Sequence, residues 1–173
     1  MRISVRIVLV CACLLFSSVA MRAQSGTTLT PESLKTMLEN LGYTTTASTS
    51  SEGVVTYEIK LTPEDWSIDT DVNLSKDQSN IWMWANLTKI PDGQLFDPDT
   101  LLQMLTENDS MGPFFFSYTT TSRRFFINLA LANQNVTPAK MRSELDALSA
   151  NVVRTQNLWD PSKWKNAPLA GTK

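Results

Sequence analysis

The sequence predicts one α+β domain built on an antiparallel sheet, with elements in the order α-β-β-β-β-α-β-β-α and helices packed on one face. Three observations predict it. Three segments open alike, with an apolar residue, a capping residue and a proline: Leu29-Thr30-Pro31, Phe96-Asp97-Pro98 and Val136-Thr137-Pro138. The segments between them alternate apolar and polar residues over short runs, with no helix separating the early strands, which argues against a parallel α/β sheet. Finally, Ile81-Trp82-Met83-Trp84-Ala85-Asn86-Leu87 carries large apolar side chains on both alternating faces. Successive strand side chains point to opposite faces, so Ile81, Met83, Ala85 and Leu87 share one and Trp82 and Trp84 the other. Such a strand belongs in the middle of the sheet.

The chain opens with a targeting signal. Arg2 and Arg6 precede an apolar run from Ile7 to Ala20, and Ser18-Val19-Ala20 gives a small-x-small cleavage pattern, with Ala23 before Gln24 as a second site. About fourteen apolar residues fall short of the ~20 that span a bilayer. We therefore divide the chain into a signal peptide, residues 1–23, and a domain, residues 24–173, whose tail is irregular from about residue 160. The expected destination is periplasmic or secreted, with no transmembrane segment in the mature chain.

The two cysteines, Cys11 and Cys13, lie inside the signal, and the chain has no histidine. The mature domain then has neither thiol nor imidazole, which removes Ser-His and Cys-His nucleophilic catalysis and the zinc, iron and copper sites built on those ligands. Removing Arg2, Arg6 and Arg22 from 15 basic residues leaves 12 against 17 acidic ones, a net charge of −5. Nucleic acid is not an expected partner of so acidic a domain.

The elements follow in order. Thr30 caps the first helix, Pro31 occupies its first position, and Leu34, Met37, Leu38 and Leu41 form its apolar stripe before Gly42 stops it. Tyr43 to Thr49 is threonine-rich and extended. Val55, Tyr57, Ile59 and Leu61 alternate with polar residues in a half-buried strand, and Trp66 to Leu74 repeats the pattern. The strand Ile81 to Leu87 follows, ended by Pro91-Asp92-Gly93. Leu101, Leu102, Met104 and Leu105 give the second helix its apolar side. Phe114 to Thr119 and Phe125 to Leu131 form a hairpin. The third helix carries Met141, Leu145, Leu148, Val152 and Trp159 on one face and runs to Asp160-Pro161.

This order resembles the YbjN family, whose fold is similar to that of type III secretion chaperones. The resemblance rests on the opening helix (Leu34, Met37, Leu38, Leu41), the strand Ile81 to Leu87, the Asp97-Pro98 helix, and Phe125-Phe126-Ile127-Asn128-Leu129-Ala130 followed by Val136-Thr137-Pro138. It spans about Pro31 to Trp159. It implies a sensory transduction or regulatory role and contacts with other proteins, and it brings no catalytic residues. Secretion chaperones of this fold act in the cytosol, so the export signal sets this chain apart from them.

Carboxylate chemistry is what composition leaves open. Asp69-Thr70-Asp71-Val72-Asn73 has the opening spacing of a calcium loop, but Leu74 stands where the glycine belongs and Asn80 where the final glutamate belongs. Glu58, Glu64, Asp65, Asp69 and Asp71 offer pairs for hydrolase-like acid/base work without a flanking motif that selects one. Arg123-Arg124 at the hairpin turn is either an anion clamp or a soluble tip. No catalytic, cofactor-binding or metal residue is assigned.

The aromatic surplus is the informative feature. If the strands pair as their pattern implies, Trp82, Trp84, Phe115 and Phe126 share the face opposite the helices. Exposed aromatic patches mark interaction sites. Either a protein or peptide partner covers this face, a second copy making a homodimer, or the tail folds back and covers it with Trp164. The expected function is a non-enzymatic, exported, protein- or peptide-binding domain of regulatory or chaperone-like type. The alternatives are a carboxylate-dependent hydrolase or small-ligand-binding protein, and a structural envelope component.

Overall fold

A computed structural model describes residues 26–164; the signal segment and its cleavage sites lie outside them. The elements are α1 (Pro31–Asn40), β1 (Thr46–Thr49), β2 (Val55–Leu61), β3 (Ile68–Leu74), β4 (Asn80–Lys89), α2 (Pro98–Ser110), β5 (Phe115–Thr119), β6 (Arg124–Ala132), α3 (Pro138–Arg154), α4 (Gln156–Trp159) and a 3-10 turn, Pro161–Lys163. The six strands form one antiparallel sheet in the order β1-β2-β3-β4-β6-β5. β4 lies inside the sheet between β3 and β6, as its two-faced apolar pattern requires.

Alternation assigns the faces. Register places Tyr57, Val72, Met83 and Leu129 side by side across four strands. All four are buried, and with Ile59, Ile81, Ala85, Phe125 and Ile127 they form the floor of one core. α1 contributes Leu34 and Leu38 to it, α3 contributes Met141, Leu145, Leu148 and Val152, and α2 contributes Met104. The helices therefore cover this face.

Local chemistry sets the helix ends. Thr30 accepts from the Ser33 amide at 3.3 Å while the Thr30 amide donates to Ser33 Oγ at 2.7 Å, closing a reciprocal cap. α1 ends in a Schellman turn: Tyr43 N donates to the Leu38 carbonyl and Gly42 N to that of Glu39. Gly42 has φ +91°, a conformation that a side chain at this position would strain.

Four expectations are corrected. The third helix does not run unbroken to Trp159. It stops at Arg154, where Thr155 Oγ1 bonds back to the Asn151 carbonyl at 2.7 Å. The break lets α4 bury both Leu158 and Trp159, with Trp159 Nε1 on the Val152 carbonyl at 2.9 Å. α2 is not apolar where its leucines suggested. Leu102 and Leu105 are 62% and 65% exposed, and Met104 and Thr100 face the core instead. The strand predicted from Trp66 begins at Ile68, because Trp66 turns to pack edge-on against Trp159. Arg123 is neither a free tip nor an anion clamp: at φ 50° its guanidinium donates to the Ile90, Pro91 and Gln94 carbonyls and fixes the connection leading to α2.

Asn133, after β6, carried no signal in the sequence. It is 1% exposed and holds three segments together. It accepts from Leu29 N and donates to the Leu29 and Gln78 carbonyls, all at 2.8–2.9 Å.

Candidate interaction surface

The residues between the core positions build the other face. Glu58, Asp71, Trp84, Asn128 and Phe115 lie in one row across β2, β3, β4, β6 and β5, by direct register at each step. Thr56, Asn73, Trp82 and Ala130 form the row on one side. Asn86, Phe126 and Ser117 form the row on the other. Trp82, Trp84, Phe115 and Phe126 thus share one face, each half-exposed, and among the described residues no helix packs on it.

The polar members satisfy one another in the plane of the sheet. Asn128 Nδ2 donates to Ser117 Oγ at 2.8 Å and to the Phe115 carbonyl at 3.2 Å. Asn86 Nδ2 donates to Asp71 Oδ2 at 2.7 Å, and Asn73 Nδ2 to Thr56 Oγ1 at 3.3 Å. Lys60 Nζ lies 2.6 Å from Asp69 Oδ1, and that bond raises the lysine pKa. Cross-strand pairs of this kind stiffen a sheet. They occupy the Asn73, Asn86 and Asn128 amides and the Asp69 and Asp71 carboxylates, and present the rings between them.

The rings are treated differently on the two faces. On the covered side Phe96, Tyr118 and Phe125 form a cluster with centroids 5.0–5.7 Å apart, and Trp66 meets Trp159 at 6.1 Å. Among the described residues no comparably close ring pair involves Trp82, Trp84, Phe115 or Phe126. Trp164 joins the covered cluster, 6.2 Å from Phe96 and 6.5 Å from Phe125, with Nε1 on the Leu158 carbonyl at 2.7 Å. Trp164 does dock back onto the domain, but on the helix side.

The acidic candidates are spread over β2, β3 and the turn between them, which holds Glu64 and Asp65. Glu58 faces Asp71 across β2 and β3, while Asp69 is held by Lys60. The Glu58–Asp71 pair stands side by side on the open sheet face, and no described helix covers it to exclude water as a hydrolytic site requires. Among the described residues no group of three acidic side chains is placed to hold a metal ion.

No family model matches the chain, and no curated protein matches it in sequence. Solved structures do match in fold. A chain of the ExsC–ExsE complex aligns with a TM-score of 0.54 and 12% identity, covering 75% of this chain and 95% of that one. A chain of the HopA1–SchA chaperone–effector complex aligns at 0.51 and 8%, covering 72% and 90%. One from the heterodimeric ExoU–SpcU complex of the Pseudomonas aeruginosa type III secretion system aligns at 0.50 and 16%, covering 73% and 97%. The architecture is therefore that of the type III secretion chaperone fold.

Proposed function

We propose that this chain is a non-enzymatic, exported, protein-binding domain that receives its partner on the aromatic sheet face. The observation that carries the reading is the placement of Trp82, Trp84, Phe115 and Phe126, half-exposed together on a face that no described helix covers. The four rings keep part of their surface exposed, and covering that remainder contributes about 25 cal/mol per Å² removed from water. A partner that covered the patch would gain this contribution against the cost of association. The fold neighbours support a protein partner, since they occur in chaperone–effector and heterodimeric complexes. The Arg-flanked apolar run at the N-terminus supports export, and the element order with Phe125 to Pro138 supports a YbjN-like regulatory role.

The test is site-specific photo-crosslinking in the native host. A photoreactive amino acid at position 84 should give a discrete adduct that is absent when the same group stands at position 150, exposed on α3. The adducted protein, purified, should bind the unmodified chain and fail to bind the variant with Trp82→Ser and Trp84→Ser. Equal adducts at both positions, or full binding by the double variant, would count against the reading.

A further inference from the structure

We propose a second site, at the sheet edge beside the aromatic face: the cleft where β1 leaves β2 binds a short peptide whose two termini are free. The cleft, about 460 Å³, exists because strand pairing is incomplete. β1 pairs with β2 only from Thr46 opposite Glu58 to Thr49 opposite Val55, whereas β2 continues to Leu61. The chain before Thr46 comes from the end of α1, so the last residues of β2, paired with β3 on one side, have no strand on the β1 side. A cleft of this size is ordinary for small-ligand binding.

Arg142 enters the cleft from the helix side. Its Nη1 donates to the Tyr43 hydroxyl at 2.7 Å, its Nη2 donates to the Leu41 carbonyl, and its Cζ lies 4.8 Å over the Tyr43 ring centroid. These contacts fix the plane of the guanidinium and leave N–H donors unassigned. Among the described residues no carboxylate lies within 4 Å of it. A pre-set fork of donors suits a carboxylate.

Glu58 enters from the other side. It alternates with the buried Tyr57 and Ile59, so it projects from the aromatic face. Among the described residues no cation lies within 4 Å of it, Lys60 being bonded to Asp69. Asp71 stands opposite Glu58 on β3, and two facing carboxylates attract a cation. Arg142 and Glu58, neither in an ion pair, therefore line one cleft from opposite faces of the sheet, together with Lys60, which Asp69 holds. The complementary ligand carries a carboxylate for Arg142 and an ammonium for Glu58. The hydroxyls of Thr44, Thr46 and Thr62, which also line the cleft, can bond the peptide groups between.

Calorimetric titration of the purified full chain with trialanine, its C-terminal amide and its N-acetyl form tests this. Trialanine should bind saturably, and each blocked form should bind about tenfold more weakly or worse. Arg142→Gln should abolish binding. Because Arg142 also ties α3 to the end of α1, Thr46→Trp provides a second variant. It fills the cleft from an exposed position and should abolish binding with secondary structure intact. Trp82→Ser with Trp84→Ser should leave trialanine binding unchanged, which separates this site from the protein-binding face. The proposal is overturned if trialanine does not bind, if a blocked form binds equally well, or if Thr46→Trp binds as the parent does.

Discussion

On the covered face of the sheet aromatic rings lock against one another, while on the opposite face they stand apart among amides and carboxylates. The same strands supply both. Met83 has no exposure, and its neighbours Trp82 and Trp84 are half-exposed. Phe125 is buried against Tyr118 and Phe96, and Phe126 is not. A period-2 pattern allows one strand to contribute to a finished core and to a surface still available for contact. Alternate residues thus belong to the core and to the open face, and substitutions one position apart should have different consequences.

Met83→Ala should have the largest effect. It removes a fully buried side chain between Val72 and Leu129, and denaturant unfolding should show a loss of about 2–5 kcal/mol. A loss as small as that of the neighbouring tryptophans would erase the distinction between the faces. Asn133→Ala should come next, at about 1–3 kcal/mol, since it strands the Leu29 and Gln78 groups that Asn133 satisfies. Its effect should be one of stability alone, with crosslinking at position 84 unaltered. Trp82→Ser and Trp84→Ser should each cost about 1 kcal/mol or less, the scale of strand propensity. Circular dichroism should show the sheet retained while partner binding is lost. Global unfolding of the double variant would move both tryptophans into the core and reverse the comparison.

The smallest effect concerns the β3–β4 turn, which both faces share. Asp77 accepts from Ser75 Oγ and from the Ser79 amide and hydroxyl, and these bonds lower its pKa to about 2. Because the folded state favours the charged carboxylate, the turn's contribution is present above the ordinary pKa of 3.8. It is lost as pH falls from there through about 2. The stability difference between the parent and Asp77→Asn should therefore shrink over that window. A difference constant across it would show that the charge makes no contribution to the turn.

Period and punctuation made most of the fold legible. Thr-Pro and Asp-Pro openings marked three helices, and alternation placed Ile81, Met83 and Ala85 opposite Trp82 and Trp84. α2 misled because Leu102 and Leu105 look like core residues in a helical pattern, yet the helix turns Met104 inward. Nothing in the sequence distinguishes a leucine aimed at the core from one aimed away when both lie in one short apolar run. The break at Thr155 was hidden for a related reason: Trp159 fits a continuous helical stripe, whereas its contact with Trp66 and its bond to the Val152 carbonyl exist only on the bent path. The four rings of the open face could be grouped from strand pattern alone. Arg142, Glu58 and Asn133 could not, because their roles depend on partners such as Leu41, Asp71 and Gln78 that are close only after folding.

The central claim is that the Trp82 face is open in the free chain and covered when a partner binds. Hydroxyl-radical footprinting of the purified monomeric chain, alone and with the protein captured at position 84, tests it most directly. The account predicts rapid oxidation of Trp82, Trp84, Phe115 and Phe126 in the free chain. Trp159, Trp164 and Phe125, all below 10% exposure, should be protected throughout. Adding the partner should protect the first group alone. Protection of Trp82 and Trp84 in the free monomer equal to that of Trp159, or their unchanged oxidation in the complex, would contradict it.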